Sequence, residues 1–331
     1  MTADDRHDDR SSTETAALPG SVGVYGGGRM GAGIAHAFLL AGCSVVVVES
    51  ADDTAAAARE RVAASLAKAA AKGTLGEPQE AVLGRLRTTT DPAGLAGCEL
   101  IVEAVPEDAA LKAEVLSAAE KRAPGAVLAT NTSSLSVAGL AAALSAPERF
   151  LGLHFFNPVP VSDLVEIVTA PATDPDLVTR AQGWVTALGK TPITVTDSPG
   201  FASSRLGVAL ALEAMRMLEE GVASAADIDT AMTLGYRHPV GPLELTDIVG
   251  LDVRLDIART LAAAYGERFA PPPLLEQMVA DGKLGKKVGQ GFYRWVDGEK
   301  VIDEAASHAG TGGLSGEGKD KGDQGTGEQR A

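Results

Sequence analysis

A glycine-rich turn between two apolar runs constrains the fold of this chain more than any other feature. Residues 22–25 form a short apolar run, and the sequence GGGRMG follows at 26–31. Helical spacing of apolar residues continues over 30–41, and four consecutive valines stand at 45–48. A strand, a glycine turn, a helix and a strand buried on both faces predict a βαβ unit with a phosphate-binding turn.

The three glycines of the G-x-G-x-x-G spacing have separate expected roles. Gly26 permits the tight turn after the strand, Gly28 lets the backbone approach a pyrophosphate, and Gly31 lets the helix pack closely. The helix N-terminus adds free N–H groups for an anion. The second strand leads to Glu49, whose carboxylate can accept hydrogen bonds from a ribose 2′-OH and repel a 2′-phosphate. We therefore expect NAD rather than NADP as the cofactor.

Apolar runs and helical patterns alternate over residues 21–199. Further strands are predicted at 100–105, 126–130, 150–155, 164–168 and 193–196. Helices are predicted at 52–72, 109–122 and 176–188. This alternation predicts an α/β fold, in which an N-terminal Rossmann-type domain has a doubly wound, mostly parallel sheet.

Helical patterns dominate after the Asp-Ser-Pro-Gly turn at 197–200, which predicts a domain boundary. Helices are predicted at 204–220, 226–234, 243–265 and 272–281, with one strand at 291–295. The second domain, 200–297, is therefore assigned to the all-α class. Residues 1–20 and 298–331 are interpreted as disordered tails, the latter for most of its length, because they can bury too little apolar surface to offset the entropy of ordering.

Charge and cysteine content exclude several classes of partner. The formal net charge of −15 argues against nucleic acid, which requires a cationic surface. No apolar N-terminal segment and no run of about 18 apolar residues is present, so no membrane partner is expected. The two cysteines, Cys43 and Cys98, fit neither a disulfide framework nor a metal site and are expected to be buried free thiols. We expect a soluble cytoplasmic protein.

A histidine stands at the end of the strand predicted at 150–155. Ligands bind beyond the carboxyl ends of the strands in a doubly wound sheet, so His154 is expected at that edge. Glu166 follows twelve residues later inside the next predicted strand, where an unpaired carboxylate would be costly. A His154–Glu166 pair would remove that cost and orient the imidazole as a base. Spacing alone leaves open a structural, hydrogen-bonded histidine.

Seven segments, in order, resemble the L-3-hydroxyacyl-CoA dehydrogenase family, which includes bacterial 3-hydroxybutyryl-CoA dehydrogenases. They are GGGRMGAGIA at 26–35, VEAVPED at 102–108, TNTSSLS at 130–136, HFFNPVPVSDLVEIV at 154–168, DSPGFASSRL at 197–206, GPLELTDIVGLD at 241–252 and KKVGQGFYRW at 286–295. They extend over nearly all of residues 21–297. Several such segments at consistent spacing are far more specific than any one of them.

The resemblance implies reversible, NAD-dependent oxidation of an (S)-3-hydroxyacyl-CoA to a 3-ketoacyl-CoA, without a metal. His154 would take the proton of the 3-hydroxyl, and Glu166 would hold His154 and stabilise its protonated form. Ser133 and Asn157 would hydrogen-bond the substrate oxygens, which completes the implied catalytic set. The helical second domain resembles the dimerisation domain of the family, so a homodimer is expected.

The resemblance also implies a set of binding residues. Glu107 and Lys112 would lie near the nicotinamide and the substrate. The expected cofactor-binding residues are Gly26, Gly28, Arg29, Met30, Gly31, Glu49, Glu107 and Lys112. The expected substrate-binding residues are Ser133, Asn157 and Ser204.

Several of these residues have a simpler structural interpretation. Arg29 could be a solvated residue at the start of a helix, and Lys112 could be solvated on an amphipathic helix. Ser133 could be the N-cap of a helix near Leu135. Asn157, which precedes a proline, could be a turn residue.

Ser204 departs from the family, which usually has asparagine there. Serine is shorter and would need a bridging water to span the same gap. Three other functions remain open: oxidation of a free hydroxy acid or sugar acid, as in gulonate dehydrogenases; oxidation of a thioester on an acyl carrier protein; and a non-catalytic NAD-binding structural role.

Overall fold

Apolar runs pair into one large sheet in this computed structural model, which describes residues 17–301. The strands of that sheet are β1 (Ser21–Tyr25), β2 (Ser44–Val48), β3 (Leu86–Thr89), β4 (Leu100–Glu103), β5 (Val127–Thr130), β6 (Phe150–Phe155), β7 (Leu164–Thr169) and β8 (Thr191–Thr196). Their order is β3-β2-β1-β4-β5-β6-β7-β8. All neighbouring pairs are parallel except β6 and β7, which are antiparallel.

Helices cover both faces of this sheet. They are α1 (Arg29–Leu40), α2 (Asp52–Ala71), α3 (Gln79–Gly84), α4 (Ala109–Arg122), α5 (Val137–Ala141) and α6 (Pro175–Ala187). One hydrophobic cluster contains buried residues of α1, α2 and α6, and another contains those of α4 and α5. The predicted doubly wound, mostly parallel Rossmann-type sheet is confirmed.

The sequence patterns did not predict α3 and β3. The four residues Leu86–Thr89 pair with β2 at the edge of the sheet, and only Leu86 is fully buried. An edge strand needs no continuous apolar run, because one of its sides is not covered by another strand. The sequence LRTT therefore carries no strand pattern of the kind shown by the four valines of β2.

The C-terminal part is helical, as predicted, with one small sheet. Its elements are α7 (Ser203–Glu219), α8 (Ala225–Thr230), α9 (Pro242–Val249), α10 (Leu251–Tyr265), α11 (Pro273–Ala280), β9 (Arg294–Val296) and β10 (Glu299–Val301). Strands β9 and β10 form an antiparallel pair, so the predicted all-α class omits a hairpin. Strand β10 also lies within residues 298–331, which were interpreted as mostly a disordered tail. Residues 1–16 and 302–331 of the predicted tails lie outside the described range.

The helix predicted over 243–265 was wrong as one continuous element. Gly250 has φ +109, in the region that favours glycine, and separates α9 from α10. The helix predicted over 226–234 likewise ends early, since α8 stops at Thr230 and a π-helical turn, Ala231–Gly235, follows. A break at a backbone glycine leaves the apolar periodicity on either side intact, so the pattern conceals it.

Two buried aspartates of the C-terminal helices bind the segment KKVGQGFYRW at residues 286–295. Asp247 accepts hydrogen bonds from the N–H groups of Phe292 and Tyr293 and from Trp295 Nε1, at 2.8, 2.9 and 2.9 Å. Asp229 accepts one from Tyr293 Oη at 2.7 Å. Burial raises the pKa of Asp247, although these donors act in the opposite direction. The KKVGQGFYRW segment is thus fixed by carboxylates far from it in sequence.

The chain divides into two compact units, each made of two separate stretches of sequence. The first unit contains the described residues up to Leu206 and also Thr260–Arg268, and the second contains Gly207–Arg259 and the described residues from Phe269 onward. Within the first unit, Ala202 and Ser203 follow the turn at 197–200 and donate their N–H groups to Glu166. Within the described residues, no helix is long and apolar enough to cross a membrane.

Candidate active site

The glycine turn between β1 and α1 is closed by contacts that only glycine permits. Gly26 has φ +96, and a Cβ there would lie 2.7 Å from the carbonyl oxygen of Ala104. A Cβ on Gly31 would lie 1.8 Å from the carbonyl oxygen of Gly26. A Cβ on Gly28 would meet no protein atom within 4 Å. The turn is therefore tightly packed at Gly26 and Gly31 and open at Gly28. Near Gly28 the first N–H groups of α1 have no hydrogen-bond partner within the helix.

Glu49 follows β2 and is anchored to the same turn. Its Oε1 accepts a hydrogen bond from the Gly27 N–H at 2.5 Å, and Arg61 Nη1 donates to the Gly27 carbonyl at 3.1 Å. This places the carboxylate beside the open part of the turn. The contact of Arg61 with the turn was not predicted, because Arg61 is exposed on α2 like an ordinary surface residue. Arg29 is exposed, and Met30 is half-buried against the core.

His154 and Glu166 are direct cross-strand neighbours. The antiparallel register of β6 and β7 pairs these two residues, and His154 Nδ1 lies 2.7 Å from Glu166 Oε2. His154 is 6% exposed and Glu166 is fully buried. The rings of Phe156 and Phe201 lie 4.5 and 5.7 Å from the imidazole, centroid to centroid. The predicted spatial pairing is therefore present, in an environment that limits access of water.

Three further donors hold Glu166 as a carboxylate. Ser203 donates through its hydroxyl at 2.8 Å and its N–H at 2.9 Å, and the Ala202 N–H donates at 3.2 Å. Burial raises the pKa of Glu166, but the hydrogen bonds from His154 and Ser203 outweigh it and hold the pKa below its usual value. Sequence reasoning missed Ser203 as a partner of Glu166. The neighbouring Ser204, which is expected at the substrate, has a hydroxyl with no hydrogen-bond partner among residues 17–301.

A buried ion pair lies at the end of β4, between Lys112 and Glu103. Lys112 Nζ lies 2.6 Å from Glu103 Oε1, 3.2 Å from the Val105 carbonyl and 3.3 Å from Glu107 Oε2. The side chains of Lys112 and Glu103 are 1% and 0% exposed. The solvated interpretation of Lys112 is therefore wrong. Sequence reasoning missed Glu103, although a lone carboxylate in the apolar run LIVE was the available signal.

Glu107 connects this charge pair to the loop after β5. Its Oε1 accepts hydrogen bonds from Thr132 Oγ1 at 2.5 Å, from the N–H of Ser133 at 3.0 Å, and from the N–H and hydroxyl of Ser134 at 3.1 and 3.0 Å. Burial raises the pKa of Glu107, but Lys112 and these donors together lower it below its usual value. Ser133 is not a helix N-cap, because Ser136 caps α5 by accepting from the Gly139 N–H.

Asn157 lies on the exposed loop between β6 and β7, just past His154. The peptide bond that joins it to Pro158 is cis, and its side chain has no hydrogen-bond partner in the described part of the chain. Lys190 Nζ fixes the rest of the loop by donating to the carbonyls of Val159 and Ser162 at 2.7 and 2.5 Å. The amide of Asn157 is thus available to a ligand.

The first unit has the features of a dinucleotide site. An anion can approach the open backbone at Gly28 and the free N–H groups of α1, and the Glu49 carboxylate stands beside them to receive a ribose hydroxyl. These residues fit NAD. The fold and this site define the class of NAD-binding oxidoreductases.

Comparison with known proteins specifies the family. The model of the 3-hydroxyacyl-CoA dehydrogenase NAD-binding domain matches residues 21–198, and that of the 3-hydroxyacyl-CoA dehydrogenase C-terminal domain matches residues 200–295. The chain belongs to the 3-hydroxyacyl-CoA dehydrogenase family. It is an oxidoreductase, and its cofactor is NAD.

Relatives from bacteria and mammals agree with this assignment. A 3-hydroxybutyryl-CoA dehydrogenase of Mycobacterium tuberculosis is 44% identical over 279 residues, which cover 83% of this chain and 98% of the relative. The mitochondrial hydroxyacyl-coenzyme A dehydrogenase of Sus scrofa is 40% identical, with 86% and 96% covered. The crystal structure of (S)-3-hydroxybutyryl-CoA dehydrogenase from Ralstonia eutropha superposes with a TM-score of 0.80 at 37% identity, covering 84% of this chain and 100% of that one.

Proposed function

We propose that this protein catalyses the reversible oxidation of (S)-3-hydroxyacyl-CoA to 3-ketoacyl-CoA, with short-chain substrates such as 3-hydroxybutyryl-CoA preferred. The buried His154–Glu166 pair, with 2.7 Å between Nδ1 and Oε2, carries the proposal. It supplies a base at the carboxyl end of β6, in a sheet that also carries a dinucleotide turn. The names of the bacterial relatives support the short-chain preference.

The pair explains how an alcohol proton can be removed. With its Nδ1–H donated to Glu166, His154 keeps Nε2 unprotonated and able to accept the proton of the 3-hydroxyl. Glu166 then stabilises the imidazolium, because its donors keep it ionised. NAD, when bound, supplies the acceptor for the hydride that leaves C3. Phe156 and Phe201 flank the imidazole and limit loss of the proton to bulk water.

Neutral groups would hold the substrate oxygens. Ser133 stands on the loop that Glu107 fixes, and Asn157 has a free amide. The proposal also assigns Ser204 to substrate binding, because its hydroxyl lacks a partner in residues 17–301. A serine there reaches less far than asparagine, so a bridging water would complete the contact. In this assignment Gly26, Gly28, Arg29, Met30, Gly31, Glu49, Glu107 and Lys112 contribute to the cofactor site.

The decisive experiment follows NADH absorbance with acetoacetyl-CoA as substrate. We expect NADH to be consumed with acetoacetyl-CoA and much more slowly with free acetoacetate or an acetoacetyl carrier protein. Consumption only with the free acid would identify a hydroxy-acid dehydrogenase instead. Consumption only with the carrier-protein thioester would exclude CoA as the carrier. No turnover with any of the three would contradict the proposed reaction.

Replacement of Glu49 should weaken discrimination between NAD and NADP. Glu49→Gln keeps an oxygen that can accept the Gly27 N–H but removes the charge that repels a 2′-phosphate. We expect the ratio of kcat/KM for NADH over NADPH to fall about tenfold, the equivalent of roughly 1.4 kcal/mol. Glu49→Ala should also lower NADH affinity, because the turn loses its anchor. An unchanged ratio in both variants would refute the role of Glu49.

We also propose that the protein is a homodimer in the cytoplasm. Four large aliphatic side chains of α9 and α10 are 38–45% exposed, namely Leu245, Ile248, Val249 and Val253. A second copy of the chain would cover such a surface. Both cysteines are buried and free, as a reducing compartment allows. Light scattering after size exclusion should give twice the mass of the chain; the mass of a single chain would contradict the dimer.

A further inference from the structure

Lys112 lies between two carboxylates, but it is bound unequally to them. Its ammonium is 2.6 Å from Glu103 Oε1 and 3.3 Å from Glu107 Oε2. Glu103 is completely buried, and its other oxygen accepts a hydrogen bond from Thr130 Oγ1 at 2.6 Å. The side chain of Glu107 is 36% exposed. Together the two carboxylates and the ammonium carry a net charge of −1. Of the three side chains, that of Glu107 is exposed enough for a ligand to contact it.

The two carboxylate oxygens of Glu107 differ in how many hydrogen bonds they already accept. Oε1 is saturated by donors from Thr132, Ser133 and Ser134. Oε2 has only the long contact to Lys112, so it keeps lone pairs for a further donor. A shift of the ammonium by less than an ångström toward Glu107 would occupy those lone pairs. The strong bond from Lys112 to Glu103 opposes that shift.

We propose that Glu103 is a positioning residue for the cofactor site. By holding the Lys112 ammonium, it keeps Oε2 of Glu107 available to accept a hydrogen bond from a hydroxyl of the cofactor. The inference rests on the proposed function, in which Glu107 binds the cofactor. It assigns Glu103 no contact with cofactor or substrate.

The test uses calorimetric titration of the full chain with NADH alone. Glu103→Gln keeps the shape of the side chain but removes the charge, so the ammonium should move to Glu107 and NADH should bind about tenfold more weakly. Adding Lys112→Met to this variant removes the competing ammonium. We therefore expect the double variant to recover affinity toward that of the wild type. A residue needed only for packing would give a double variant no better than Glu103→Gln.

A second double-mutant cycle tests whether Glu103 affects NADH binding through Glu107. Glu107→Gln should weaken NADH binding, and Glu103→Gln should cause no further loss in that background. The control is Glu77→Gln, which removes an exposed ion pair with Arg85 and should leave the affinity unchanged. Folding of each variant is checked by its melting temperature.

Three results would overturn the inference: normal affinity in folded Glu103→Gln, no recovery in the double variant, or additive losses with Glu107→Gln. Normal affinity in Glu107→Gln would contradict the cofactor role of Glu107 and remove the basis of the inference with it. Because the titration needs no turnover, failure of the acyl-CoA reaction would be seen separately, in the activity assay.

Discussion

His154→Ala is expected to lower kcat for reduction of acetoacetyl-CoA by roughly 100- to 10,000-fold, the usual contribution of a general acid or base. In this direction His154 would deliver through Nε2 the proton that it removes during oxidation. The affinity for NADH should remain nearly unchanged, because the proposed cofactor site at the glycine turn and Glu49 lies elsewhere along the sheet edge. Stopped-flow or steady-state rates give kcat, and calorimetric titration gives the dissociation constant.

A double-mutant cycle shows whether Glu166 affects kcat through His154 or independently of it. Glu166→Gln should lower kcat in the same direction, because an amide stabilises the imidazolium less than a carboxylate does. Added to His154→Ala, it should cause little further loss, since the two residues act as a unit in the proposed mechanism. A kcat for His154→Ala within about tenfold of the wild-type value would place the base elsewhere. His154→Gln, which retains more of the side-chain volume, serves as the second variant if alanine impairs folding.

Gly28→Ala is expected to weaken NADH binding strongly without destabilising the protein. The added Cβ would meet no protein atom within 4 Å, so the free protein accommodates it. It would occupy the space through which a pyrophosphate approaches the backbone. Steric strain of about 1–3 kcal/mol in the complex corresponds to a dissociation constant raised roughly 5- to 150-fold. Calorimetric titration measures the affinity, and thermal unfolding measures the stability.

Two other glycines provide the controls for this prediction. Gly125→Ala also adds a Cβ that meets nothing, but far along the chain from the turn, and should change neither quantity. Gly31→Ala would bring a Cβ to 1.8 Å from the Gly26 carbonyl, so it should lower both stability and affinity. Equal NADH affinity in Gly28→Ala and Gly125→Ala would mean that the cofactor does not approach the backbone at Gly28.

Local patterns predicted much of the fold and indicated the proposed catalytic pair, His154 and Glu166. The glycine turn, the four valines of β2 and the strand carrying His154 are all set by residues close together in sequence. The pairing of His154 with Glu166 was also accessible, because a carboxylate inside an apolar strand requires a partner and adjacent antiparallel strands supply one. Apolar periodicity failed in the edge strand β3, which has no strand pattern, and at Gly250, where the periodicity continues across the break.

The sequence by itself thus determined a dinucleotide-binding βαβ unit, a carboxylate that follows its second strand and a candidate base. Only the tertiary structure decided which polar residues support them. The pattern of α4 left open a solvated Lys112, but in the folded chain its ammonium lies 2.6 Å from the buried Glu103. Ser203, which no sequence pattern singled out, donates its hydroxyl to Glu166. The reason is physical: whether a charge is buried and paired depends on groups that are distant along the chain and meet only when the sheet has formed.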